Sequence, residues 1–225
     1  MAKILTLDTS TNVCSVAIHE NGQVLYSEVN KEEKSHSKYI TLMVERAVEK
    51  TGMTLSELDA FAVSKGPGSY TGLRIGVATV KGYCYALDKQ MISVNTLDGM
   101  RAGVNEAADF YVPMIDARRM EVYTKVFEGD NKVTQTEAKI LEEDSFADVI
   151  SDHEVLFFGD GSEKYKELTA SKTNYKFLDN VFPNAEYMGE LVYEKYKNES
   201  FEDVAYFEPF YLKDFVTTVP KKVKL

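Results

Sequence analysis

The 225-residue sequence predicts an α/β fold in two similar lobes, residues 1–104 and 105–225. Three observations predict it. Two apolar strands, in "ILTLDTSTNVCSVAI" and "YVPMIDARRMEVYTKVF", each end in an aspartate, Asp8 or Asp116, then pass through a polar turn into another apolar strand. Each of these units is followed by a strand that runs through a glycine turn into a helix, at "AFAVSKGPGSYTGL" and "VLFFGDGSEKYKEL". Finally, the apolar spacing switches between period two and period 3.6, as strands and helices in alternation require.

The elements follow in order. Residues 3–8 and 14–19 alternate as strands, and Asn21-Gly22 favours a tight type I′ hairpin into a third strand over 23–29. Residues 37–51 carry Tyr39, Ile40, Met43, Val44, Ala47 and Val48 on one helical face, and Gly52 ends the run. Thr54 and Glu57 form a capping box for a short helix. "FAVSKGPGS" reads as strand plus glycine turn, and 70–87 as a helix. After the second strand-aspartate unit and its own glycine turn, residues 184–198 form an amphipathic helix with Tyr187, Leu191, Val192 and Tyr196 on one side. The tail "YLKDFVTTVPKKVKL" reads as a solvated end.

Composition narrows the function classes. A net charge of −10 argues against a broad phosphate-binding surface, so contact with nucleic acid is expected to be indirect. Two cysteines, Cys14 and Cys84, make no disulfide framework, and no apolar run approaches the ~20 residues of a membrane helix. With no signal-peptide pattern after Met1, a cytoplasmic, reduced protein is expected.

The glycine stretch "GPGSYTGLRIG" invites a phosphate reading and fails its spacings. After Gly66 and Gly68 the next glycine is Gly72, one position too late for a dinucleotide fingerprint, and Leu73 stands where a P-loop needs lysine. Gly72, Gly76, Thr79 and Tyr83 instead form one helical stripe. Each interior glycine costs roughly 1 kcal/mol against alanine, a cost that close packing on the protein's own sheet or on another chain's helix would offset. Asp8-Thr9-Ser10-Thr11 sits where a strand ending in Asp-x-Gly-Ser/Thr holds phosphates in actin-like ATPases, with Ser10 in place of the glycine; turn formation alone explains it equally well. His19, His36 and His153 lie far apart, and Ile40 rather than histidine stands four residues after His36, so no metal pair is expected. Ser35 or Ser37 is expected to cap the helix beside His36, and no nucleophile elbow is present.

"ILTLDTSTNVCSVAI", "SHSKYITLMVERAV", "KGPGSYTGLRIGVATVKG" and "PMIDARRMEVY" together resemble the bacterial TsaB (YeaZ) family. The resemblance spans most of the chain, with little in residues 130–200. It implies the actin-like ATPase (ASKHA) superfamily, with two RNase H-like lobes on mixed sheets. It also implies kinship with TsaD, which transfers threonylcarbamoyl to N6 of adenosine 37 in tRNAs reading ANN codons and carries a His-x-x-x-His metal motif that this sequence lacks. The implied role is a non-catalytic adaptor that binds TsaD, with the ATPase TsaE joining the pair, and that needs no cofactor of its own and touches tRNA mainly through its partners. The family pairs through first-lobe helices, as a homodimer or with TsaD, an interface compatible with a bound nucleotide. On this sequence Met43, Ala47, Gly72, Gly76, Thr79 and Tyr83 are the expected partner-facing positions, roughly half of them packing on the sheet instead. Asp8, Ser10 and Thr11 are the expected remnant of a phosphate site. The competing classes are an actin-like ATPase or sugar kinase acting alone, and a peptidase.

Overall fold

The computed structural model describes residues 1–32, 36–150 and 153–213. Ser35, one of the two expected caps, and the tail beyond Lys213 lie outside them. The first sheet has the order β3-β2-β1-β4-β5, with β1 (Lys3–Asp8), β2 (Cys14–Glu20), β3 (Gln23–Asn30), β4 (Ala60–Gly66) and β5 (Gln90–Asn95). β1 pairs antiparallel with β2 and parallel with β4, which pairs parallel with β5. Asn21 and Gly22 both have positive φ (50° and 87°), the geometry of the expected I′ hairpin.

The second sheet repeats that plan. β6 (Phe110–Asp116) pairs antiparallel with β7 (Glu121–Thr124) and parallel with β11 (Val155–Phe158). β10 (Glu137–Ile140) and β12 (Tyr175–Leu178) complete the order β10-β7-β6-β11-β12, and β8 (Phe127–Glu128) and β9 (Asn131–Lys132) form a hairpin beside β6. Asp8 and Asp116 thus end equivalent central strands, as the duplicated pattern predicts. The core of this lobe is aromatic: Phe146, Phe157, Tyr165 and Tyr175 pack at centroid distances of 5.0–6.1 Å, within the range of favourable ring pairs.

Helix α1 (His36–Thr51) buries Ile40, Met43, Val44 and Ala47 and ends before Gly52, whose φ of +67° suits glycine. Thr54 N–H donates to the Glu57 carboxylate (2.7 Å), opening the 3-10 turn Leu55–Glu57. α2 (Tyr70–Leu87) starts where Ser69 Oγ accepts from Gly72 N–H and stops at Asp88, which adopts a left-handed φ of 53°. Both helices cover one face of the first sheet, on Leu5, Leu7, Phe61 and Val63. β5 and α3 (Thr96–Ala102), which sequence periodicity did not single out, complete the first sheet and lead into the second lobe. The remaining short helices are α4 (Ala147–Ile150) and α5 (Ser162–Leu168).

The expected C-terminal helix breaks at Gly189 into a 3-10 segment, Ala185–Met188, and α6 (Gly189–Lys197). Although it follows the second lobe in sequence, it packs on the first sheet. Ala185, Met188 and Val192 sit against Ile4, Ala17, Ala60, Ala62, Ile92 and Val94, where three alanines leave room for close approach. The chain then runs along β5, where Glu202 bridges to Met91, and back over α2, where Lys81 Nζ donates to the carbonyls of Ala205 and Phe207 (3.1 Å each).

His19 joins this segment to the sheet. It is fully buried, with Nδ1 3.2 Å from Thr6 Oγ1 and Nε2 3.3 Å from Glu186 O. A carbonyl only accepts, so Nε2 carries the proton and Nδ1 accepts from Thr6. Burial pushes the imidazolium below its usual range, more strongly than the Glu186 and Glu190 charges raise it. The native state therefore resists a proton that the unfolded chain takes up near pH 6.5. Stability is expected to fall as pH drops from about 7 to about 5.5, and the fall should shrink in His19→Gln. Urea unfolding at both pH values checks this, and an unchanged pH dependence in the variant would count against the buried neutral imidazole.

Candidate functional site

The two regions singled out by sequence, the turn after Asp8 and the glycine stretch, lie against each other. Thr9 and Ser10 are fully buried, and Asp8 and Thr11 nearly so. Asp8 Oδ1 accepts from both Ser10 N–H (2.9 Å) and Ser10 Oγ (2.8 Å). Ser69 N–H donates to Ser10 O (2.6 Å), Thr9 Oγ1 donates to Gly72 O (2.8 Å), and His36 Nε2 donates to Thr11 O (2.6 Å). Burial pushes the Asp8 carboxyl above its ordinary value, with the Ser10 amide and the Ser64 and Ser10 hydroxyls pulling it back. The expected phosphate remnant at Asp8, Ser10 and Thr11 is thus corrected: the Ser10 amide that would face a phosphate is spent on Asp8, and the start of α2 covers the turn.

Glycine is what permits that cover. A β-carbon at Gly68 or Gly72 would lie well under 3.0 Å from the carbonyl oxygens of Ser10 or Thr9, and one at Gly76 equally close to Thr9 Oγ1. The stripe faces the protein's own turn, so Gly72 and Gly76 are not partner-facing. The same correction applies to Met43 and Ala47, which are fully buried against the first sheet. Thr79 and Tyr83 are half-buried: Thr79 Oγ1 donates to Ile75 O (2.8 Å), and Tyr83 stacks on Phe61 at 5.3 Å between centroids.

The outward face of α2 lies one position earlier at every step: Thr71, Ile75, Ala78 and Gly82, followed by Tyr85, which is 87% exposed. A β-carbon at Gly82 would meet nothing within 4 Å. Tyr70, Thr71, Arg74, Ile75 and Ala78 line a shallow depression of about 470 Å³. At its rim the Arg74 guanidinium lies 4.1 Å from the Tyr70 ring centroid and donates to Tyr211 Oη (3.2 Å). Leu42 on α1 is also exposed. The spacing that drew attention to Gly72 fits this stripe equally well; exposure separates the two, and periodicity does not report which of two adjacent stripes meets the sheet.

The second lobe's turn is open where the first is closed. Asp116 is exposed, and its Oδ1 accepts from Arg118 N–H (2.5 Å) and Lys164 Nζ (2.7 Å). Arg118 and Arg119 are exposed at φ of 72° and 53°, a conformation non-glycine residues adopt at some cost. Asp160 accepts from Asp116 N–H (2.9 Å). Among the described residues no three His, Cys, Asp or Glu side chains gather as metal ligands, and no helix is long and apolar enough to cross a membrane.

Residues 24–220 match the family model described as TsaD, tRNA N6-adenosine threonylcarbamoyltransferase. The chain is 30% identical to the tRNA threonylcarbamoyladenosine biosynthesis protein TsaB of Haemophilus influenzae, over 95% of this chain and 94% of that protein. Among solved structures it is similar to YeaZ from Pseudomonas aeruginosa (TM-score 0.79, 28% identity, 94% of this chain and 100% of that one). It also shares its fold, at 9% identity and a TM-score of 0.53, with component A of the (R)-2-hydroxyglutaryl-CoA dehydratase of Acidaminococcus fermentans, covering 89% of this chain and 100% of that one. The fold is that of the actin-like ATPase superfamily.

Proposed function

The chain belongs to the TsaB (YeaZ) family of tRNA threonylcarbamoyladenosine biosynthesis proteins, and from that premise we propose that it is a non-catalytic adaptor, binding the transferase TsaD through the outward face of α2 and its border with α1. One observation carries the reading: the turn that would grip phosphate is closed by its own helix, while the neighbouring, outward stripe of that helix presents small and apolar residues to solvent. Small side chains let a second helix approach closely, and Ile75, Leu42 and Tyr85 supply apolar area at its edges. A homodimer would use the same face when TsaD is absent, and TsaE joins the pair. The role needs no cofactor of this chain's own, a nucleotide at the subunit interface being compatible with it; tRNA is met mainly through the partners, in the cytoplasm.

Reconstitution tests this. TsaD and TsaE with the enzyme that makes threonylcarbamoyl-adenylate should modify tRNA only when this chain is added, and the chain alone should not turn over ATP. Full modification without it, or ATP turnover by the chain alone, would refute the adaptor role.

A further inference from the structure

The turn between β6 and β7, where the second strand-aspartate unit ends, has no part in the adaptor role. Its base is fixed from within. Asp116 N–H donates to Asp160 Oδ1 (2.9 Å), Asp116 Oδ1 accepts from Arg118 N–H (2.5 Å) and Lys164 Nζ (2.7 Å), and Ala117 N–H donates to Glu121 O (3.1 Å). Lys213 Nζ pairs with Glu121 Oε2. The carboxylates of Asp116, Glu121 and Asp160 are thus all engaged, by backbone N–H groups or by lysines. Arg118 and Arg119, both exposed, make no ion pair or side-chain hydrogen bond among the described residues. Two adjacent guanidinium groups therefore stand at the hairpin tip with their charge unpaired, in a chain whose net charge is −10. Both residues also have positive φ, 72° and 53°, a conformation that asparagine or glycine adopts without the steric cost arginine incurs. A turn selected for stability alone would carry those residues instead; strain kept at an exposed site goes with a use for the side chains that hold it.

We propose that Arg118 and Arg119 bind the phosphate backbone of an RNA. A guanidinium presents a planar fork of N–H donors that matches two phosphate oxygens, and two forks on successive residues suit a chain of phosphates better than one small anion. An exposed hairpin tip meets such a chain from outside; it does not surround a free phosphate. The site lies on the second lobe, away from the outward face of α2, and is independent of the adaptor reading; only the choice of tRNA as the RNA rests on the family.

Labelled unmodified tRNA is titrated with the full-length chain over a series of salt concentrations, beside urea unfolding of each variant. Arg118→Asn/Arg119→Asn should weaken binding by at least about tenfold. Its slope of log affinity against log salt should become shallower by about 0.7–0.9 for each phosphate no longer neutralised, while its urea midpoint stays level or rises, since asparagine tolerates positive φ. Arg118→Lys/Arg119→Lys keeps both charges and should keep the slope. Lys197→Gln, on α6 and paired with Glu194, should bind as wild type does and so controls for general charge loss. Sodium phosphate should displace tRNA no better than sodium chloride of equal ionic strength. Failure of the wild-type chain to bind tRNA, or equal affinity in the asparagine variant, overturns the proposal, and in the second case loss of TsaD binding would make the turn a protein contact. A urea midpoint that falls with the affinity overturns it too, by making the arginines supports of the turn, and displacement specific to phosphate would make the site one for the free anion. The readout is binding to this chain alone, so this inference and the adaptor reading can fail separately.

Discussion

Gly72→Ala is expected to lower the free energy of unfolding by about 1–3 kcal/mol, while Gly82→Ala, further along the same helix, raises it by up to about 1 kcal/mol. Helix propensity favours alanine at both positions, so the opposite signs come from what surrounds each. At Gly72 the new methyl would overlap the Thr9 carbonyl oxygen, a backbone atom that cannot turn aside. Separating the surfaces would weaken the Thr9 Oγ1–Gly72 O and Ser69 N–Ser10 O hydrogen bonds that seat α2 on the turn. At Gly82 the methyl points into open space. Equilibrium urea unfolding of the two variants measures both effects. If Gly72→Ala stabilised the chain as Gly82→Ala does, α2 would not be seated on that turn.

The second large effect concerns the partner. Ala78→Arg places a long cation at the centre of the outward face of α2 and is expected to weaken binding to TsaD by about 2 kcal/mol or more, roughly thirtyfold, leaving stability within about 0.5 kcal/mol of wild type. Met43→Ala should do the reverse. Its side chain is wholly buried beneath α1, so truncation costs about 2–5 kcal/mol of stability and leaves the affinity of the folded fraction unchanged. Calorimetric titration of each variant into TsaD, beside its urea curve, separates the two. An Ala78→Arg chain that bound TsaD like wild type would remove α2's outward face from the interface.

Much of the fold was legible. The alternation around Asp8 and Asp116, the Asn21-Gly22 hairpin and the helix over 70–87 are local patterns, and local patterns follow from backbone sterics and hydrophobic period. The short elements escaped, β5 and α3 in the first half and β9, β10, α4 and β12 in the second. β5 and α3 are short and buried, and a short apolar run has no period that distinguishes strand from helix. Gly189 broke the last helix where a β-carbon would lie close to the Gly22 carbonyl oxygen, a contact between residues far apart in sequence.

The candidate site was half legible. Two glycines in a helix interior mark close packing, and that inference needed no structure. Which surface they pack on was not in the pattern, because Gly72, Gly76, Thr79, Tyr83 and Thr71, Ile75, Ala78, Gly82 have the same spacing and differ by one step around the helix. Likewise Asp8 followed by Ser10 is compatible with a phosphate grip or a closed turn, and the Ser10 hydrogen bonds to Asp8 and the seating of α2 select the second.

By itself, then, the amino-acid order determined the elements, the duplication of the strand-aspartate unit and the family, all of which depend on neighbours a few residues apart or on motifs kept in order. Only the tertiary structure decided which face of α2 is spent inside the chain and that residues 185–197 cover the first sheet instead of the second. Those outcomes are set by how separate surfaces fit, through the room left by Ala17, Ala60 and Ala62 and by glycines without β-carbons, and shape complementarity between distant segments leaves no periodic trace in the sequence that encodes it.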